Sequence, residues 1–204
     1  MPKIKLEKSK IEKKGLVICY IGAGKGKTTA AMGAAVRAAG AGMSVFILQF
    51  VKAMKETGSD IKKGEWPVSN EINFFENINS SSGIGKIKTE QAGLGFVGIL
   101  GDRKEKDEHI RQAIYGLERA REIMFSGEYQ VLILDEIISA LELKLLEERD
   151  IVDLIKLKPA NLHMVLTGHN KFPKILTLCD LVTEMKMIKH PYYKGVLAQK
   201  GIDY

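Results

Sequence analysis

Lys27 and Thr28 follow directly on Gly22-Ala23-Gly24-Lys25-Gly26, and Thr28-Thr29 open the alanine-rich run TTAAMGAAVRAA. An ammonium, a hydroxyl and three glycines at this spacing suit one task, which is to hold a polyphosphate. The glycines can adopt backbone angles that other residues avoid, and they leave no side chain between the chain and a ligand. The N–H groups of such a loop, with the N-terminus of the helix behind it, form an anion cradle. Lys27 adds a full positive charge, and Thr28 adds a hydroxyl for a magnesium ion. Two acids, Asp135 and Glu136, end the apolar run Val131-Leu132-Ile133-Leu134. Carboxylates at the carboxyl ends of parallel strands face the ligand crevice, where at least one of the pair would meet the magnesium. Aspartate also caps helices well, so a helix N-cap is the competing role, and each acid can take one. Thr167-Gly168-His169 ends a further apolar run on the same side and extends the crevice.

Elements must exist to place these groups. The loop is close to the P-loop pattern G-x-x-x-x-G-K-[ST], one residue tight, because the first glycine of the pattern falls on Ile21. An apolar strand before the loop and a helix after it supply the context the motif needs. An ordinary β–α turn with incidental lysines is the competing reading of the same residues. The tight loop predicts an unusual grip on the triphosphate. Apolar runs predict strands over 15–21, 43–50, 71–77, 129–136, 161–169 and 180–188. Helical periodicity predicts helices near 27–39, 107–126, 137–156 with a break at Glu147–Asp150, and 172–178. Residues 51–70 and 79–104 read as loops, the second long enough to imply a function. Strands alternating with helices give an α/β fold. It is a P-loop NTPase-like three-layer sandwich with a mostly parallel central sheet, the acid-bearing strand lying beside the first.

The chain of 204 residues fits one domain over 15–204, preceded by a basic arm over 1–14 that holds six lysines. Thirty-one basic against 25 acidic residues give +6. A solvated terminus accounts for the arm, and no nucleic acid is expected as partner. Binding of nucleic acid would be salt-sensitive and lost on deleting 1–14. With no signal peptide and no membrane-spanning run, a cytoplasmic location is expected. Cys19 and Cys179 sit in apolar settings and make neither a disulfide framework nor a metal pair. Four histidines without shared spacing argue against zinc. His163 reads as a core residue, and His109 and His190 as surface positions. Phe96, in the glycine-rich stretch 93–98, reads by itself as a loop anchor.

Together GAGKGKTTAAMGAAVRAAGAG, VFILQFVK, VLILDEI, LTGHN and DLVTEMKMIKHPYYKGVLAQKGIDY resemble the ATP:corrinoid adenosyltransferases of the P-loop class. The likeness runs from about Gly15 to Tyr204. It implies a homodimeric, cytoplasmic enzyme that uses ATP and Mg²⁺ and moves the 5′-deoxyadenosyl group to the Co(I) of a corrinoid, cobalamin or cobinamide. Triphosphate leaves. An electron-donating reductase or flavodoxin-like protein is the implied partner. The resemblance assigns Gly22, Ala23, Gly24, Lys25, Gly26, Lys27, Thr28, Thr29 and His169 to the nucleotide. It assigns Thr28 with Asp135 or Glu136, of which it favours Glu136, to the metal. Phe96 matches the family's phenylalanine, on a loop that displaces the lower cobalt ligand, and joins Lys27 as a catalytic residue. Three positions depart from the family pattern. Ala23 stands where many members have Asn, Gly98 where many have Trp, and His169 where many have Arg. An imidazole lacks the fixed charge of a guanidinium, so a phosphate contact there would be weaker.

Two other classes share these residues. A P-loop kinase or ATPase would use Lys27, Thr28, Asp135 and Glu136 but would release ADP. A non-catalytic ATP- or corrinoid-binding regulator would bind without turnover.

Overall fold

The computed structural model describes residues 14–53, 70–78, 83–95, 97, 104–199 and 201–202. Six strands form one sheet in the order β3-β2-β4-β5-β1-β6. They are β1 (Val17–Ile21), β2 (Val45–Ala53), β3 (Ile87–Gly93), β4 (Val131–Asp135), β5 (His163–Thr167) and β6 (Leu181–Glu184). Every pairing is parallel. The helices are α1 (Lys27–Gly40), α2 (Asn70–Ile78), α3 (Lys106–Ser126), α4 (Ile137–Glu142), α5 (Glu148–Leu157) and α6 (Pro173–Leu176).

Alternation along the strands separates two cores. Val45, Ile47, Val131, Ile133 and Val165 face α1 and α2, packing with Ala31, Ala35, Ala39 and Phe75. Phe46, Leu48, Phe50, Leu132, Leu134 and Leu166 face the other way, against α3 to α6. Both faces of the sheet are therefore covered, which is why the strands read as unbroken apolar runs. Each large side chain fully buried here contributes about 1.5–3 kcal/mol. The layers and the sheet agree with the α/β sandwich expected from the sequence.

Several local expectations are corrected. Residues 71–77 are helical, not a strand. Ile72 and Phe75 are buried while Phe74 is exposed, a three-residue spacing that suits a helix face. The span 79–104 is not all loop, since β3 occupies Ile87–Gly93 at the sheet edge. The acid-bearing β4 is not beside β1, because β5 lies between them. His109 is 3% exposed on the inner face of α3, one turn before Ala113. His163 is half-buried, and its ring Nδ1 accepts the Leu16 N–H at 3.2 Å. Cys19 and Cys179 are free thiols, the Cys179 thiol donates to the Ile175 carbonyl at 3.3 Å, and the neighbouring Cys179 together with burial pushes the Cys19 pKa upward. The Asp180 carboxylate, held low chiefly by the Val17 N–H at 2.8 Å, ties the start of β6 to β1.

Candidate active site

The β1–α1 loop is tight because it is braced. Gly22 has φ 108° and Gly26 φ 103°, both left-handed angles that favour glycine. The Gly22 N–H donates to the His169 carbonyl at 2.9 Å, and the Gly24 N–H donates to the Met185 carbonyl at 2.8 Å. A Cβ on Gly22 would lie 2.4 Å from the Met185 carbonyl oxygen, and one on Gly24 would lie 2.8 Å from it. These two glycines therefore make room for the chain leaving β6, a role additional to phosphate approach. Ala23 and Lys25 are exposed at the loop tip, and Thr29 is exposed in the first turn of α1.

Lys27 is buried, and its ammonium donates to the carbonyls of Gly22 at 2.8 Å and Gly24 at 2.9 Å. Burial lowers its pKa, while the nearby carboxylates of Glu136, Asp135 and Glu142 act in the opposite direction. The Thr28 hydroxyl donates to Asp135 at 3.0 Å to Oδ1 and 3.3 Å to Oδ2. This contact crosses over β5, where Thr167 adds a second hydroxyl to the same carboxylate. The Thr167 hydroxyl donates to Asp135 Oδ1 at 2.8 Å and accepts the Glu136 N–H at 2.8 Å. Gln49 Nε2 donates to Asp135 Oδ2 at 3.1 Å. Asp135 is fully buried, and both of its oxygens are engaged by protein groups.

Glu136 differs in every respect. It is half-buried, occupies the N-cap position of α4 at φ 63°, and accepts the Ser139 hydroxyl. Its side chain caps no backbone N–H. A left-handed non-glycine residue costs about 1–3 kcal/mol and persists where the surroundings enforce it, often at functional sites. Aspartate does not cap α4 here, and Asp135 instead anchors Thr28.

His169, Asn170, Lys171, Phe172 and Glu184 join Gly22 and Ala23 around a cleft of about 490 Å³. Its rim carries the Lys171–Glu184 ion pair at 2.9 Å. The structure thus brings Gly22 to Thr29, Asp135, Glu136 and His169 to one edge of the sheet. Phe96 and Gly98 lie outside the described residues. Among the described residues on either side of them, Lys104 Nζ donates to the Leu94 carbonyl at 2.9 Å. Gln49 was not singled out from the sequence. The available signal was an amide near the end of the otherwise apolar VFILQF.

Magnesium suits this donor set. The ion is commonly held by one or two protein oxygens together with substrate phosphates, not by a complete protein cage. The Thr28 hydroxyl and the half-buried Glu136 carboxylate provide such oxygens. Among the described residues, no group of three histidine, cysteine, aspartate or glutamate side chains could hold a metal.

Residues 13–204 match the sequence pattern of the family described as ATP:corrinoid adenosyltransferase BtuR/CobO/CobP. A corrinoid adenosyltransferase of Sinorhizobium sp. is 30% identical over 98% of this chain and 85% of that protein. Corrinoid adenosyltransferase CobA of Salmonella typhimurium is 30% identical over 95% of this chain and 87% of that protein. Among solved structures, the KaiC-like protein PH0186 of Pyrococcus horikoshii aligns with 93% of this chain and 76% of that one, at 18% identity and a TM-score of 0.45. The fold assignment rests on the sheet order and loop geometry and not on that likeness.

Proposed function

The chain belongs to the ATP:corrinoid adenosyltransferase family, and from that premise we propose how its crevice works. The protein transfers the 5′-deoxyadenosyl group of ATP to a corrinoid. The triphosphate lies on the loop Gly22, Ala23, Gly24, Lys25, Gly26 and the first turn of α1, with Lys27, Thr28 and Thr29. His169 borders the cleft beside it. Residues 15–204 act as one catalytic domain.

In the reaction, the electron pair of Co(I) forms the Co–C bond at ribose C5′. The C5′–O bond breaks, and its pair leaves with triphosphate. No protein base is required, because the cobalt of the substrate is the nucleophile. The chain's task is to stabilise charge gathering on the leaving oxygen and to align the two centres. Lys27 is placed for the first, since its ammonium sits at the loop on two carbonyls it can exchange for phosphate oxygens. Thr28 and Glu136 would hold Mg²⁺, with Asp135 orienting Thr28. Bound there, the ion would neutralise charge on the triphosphate. Phe96 would displace the lower axial ligand of the corrinoid, with Leu94 and Ile99 as neighbours.

The observation that carries this reading is the convergence of Lys27, Thr28, Asp135 and Glu136 on one braced loop end. Further parts of the proposal are a homodimer, a cytoplasmic location and an external reductase. The exposed apolar residues Leu181, Val182, Ile188 and Leu197, on β6 and beyond it, support an interface with a second copy. No described helix is long and apolar enough to cross a membrane.

The test mixes chemically reduced cobalamin with ATP and Mg²⁺ and follows the absorbance spectrum. Formation of adenosylcobalamin with an equivalent of inorganic triphosphate is expected. ADP and phosphate without a Co–C bond would instead identify a phosphoryl-transfer enzyme.

A further inference from the structure

Four polar side chains stand in a row across four adjacent strands at the carboxyl edge of the sheet. Gln91 on β3 is paired in register with Gln49 on β2, and Gln49 with Asp135 on β4. Leu134 is paired with Leu166, which places Thr167 of β5 next to Asp135. In-register parallel strands direct equivalent side chains to the same face. The row is hydrogen-bonded throughout. Gln91 Nε2 donates to Gln49 Oε1 at 3.2 Å, Gln49 Nε2 to Asp135 Oδ2 at 3.1 Å, and Thr167 Oγ1 to Asp135 Oδ1 at 2.8 Å.

The direction of the row follows from one group. A carboxylate only accepts, so Gln49 must turn its NH₂ toward Asp135. That turns its carbonyl toward Gln91, which must answer with its own NH₂. Gln49, Asp135 and Thr167 are all buried, so a misaligned donor there has no water to replace it. Thr28 is the only donor to Asp135 in these contacts that comes from α1 and not from the sheet.

We propose that Gln49 and, through it, Gln91 are positioning residues for the magnesium–triphosphate site. They hold the Asp135 carboxylate in one rotation. Asp135 then holds the Thr28 proton, which leaves the Thr28 lone pair directed at the metal. This inference rests on the proposed magnesium role of Thr28. Groups that orient metal ligands typically change metal affinity by about 10- to 100-fold when removed.

Calorimetry of ATP binding, once with Mg²⁺ and once with EDTA, tests it on the whole protein. Gln49→Met keeps volume and removes both hydrogen bonds. It should erase about tenfold or more of the Mg²⁺-dependent gain in ATP affinity and leave the EDTA value within about twofold of wild type. Gln91→Met changes a half-buried residue and should lose about threefold, since it acts only through its neighbour. The double variant should match Gln49→Met alone, because the two act as one unit. Equal losses with and without Mg²⁺ would mark Gln49 as a packing residue and overturn the proposal. Additive losses in the double variant would also overturn it. An undiminished Mg²⁺ gain in Gln49→Met overturns the row alone, whereas a wild type indifferent to Mg²⁺ overturns the metal site as well. Should Gln49→Met fail to fold, the Gln91→Met arm decides by the same criterion.

Discussion

β4 and β6 are both short parallel strands read from apolar sequence, yet every residue of β4 is buried and every residue of β6 is exposed. β4 lies inside the sheet and β6 at its edge. The interior strand contributes a side chain, Asp135, whose partners come from β2, β5 and α1. The edge strand contributes backbone, because the Met185 carbonyl beyond its end braces Gly24 and crowds Gly22. One loop is therefore held from two directions. Side-chain chemistry sets what it binds, and an exposed edge sets its shape.

The largest expected effect lies on the side-chain half. Lys27→Ala should lower the rate of adenosylcobalamin formation by about a hundred- to a thousandfold with an unchanged circular dichroism spectrum. Near wild-type turnover would remove Lys27 from the mechanism. The backbone half is broken by Gly22→Ala, which meets both a left-handed angle and the Met185 carbonyl. Loss of about 3 kcal/mol is expected, seen as a fall in melting temperature of order 10 °C. An unshifted melting curve would show that β6 does not constrain the loop.

A third variant sharpens the comparison by probing the corrinoid side of the proposed reaction. Phe96→Ala should slow the reaction that starts from Co(II) by about tenfold more than the reaction that starts from Co(I). Equal losses would make Phe96 a packing residue. The smallest effect concerns the anchor of β6. Asp180 is held below the usual carboxylate range, chiefly by the Val17 N–H and further by Lys14. A depressed pKa contributes stability above the unfolded-state value and loses it as pH falls through the folded-state value. Asp180→Ala should cost about 1 kcal/mol at pH 7. In urea titrations its gap to wild type should close below about pH 4. A gap that stays constant with pH would assign the loss to packing.

How much of this could be read from the sequence depended on the range of the interactions. The phosphate loop, β1, β4 and the ends of β5 were legible because their signals are local: an apolar run, then glycine, lysine, threonine or acid. The segment EINFFEN was not, because seven residues with three apolar side chains fit either period, and only packing of Ile72 and Phe75 decides. β3 carries Lys88, Glu90 and Gln91 and pairs on one side only, so its pattern is too polar to announce a strand. His109 was misplaced by residue type, although it shares a face with Ala113, Gly116 and Leu117. Gln49 and the bracing by Met185 depend on strand order, and a strand order with β5 between β1 and β4 is not written in any one segment.

The central claim is that the attacked atom is ribose C5′ while the loop holds the leaving triphosphate. It is tested most directly with ATP carrying ¹⁸O at the bridge between C5′ and the α-phosphorus, turned over on reduced cobalamin. Cleavage at carbon predicts that all of the label departs in inorganic triphosphate and that none stays with the adenosyl group. Label retained on a nucleoside product, with phosphate or ADP released, would contradict the account.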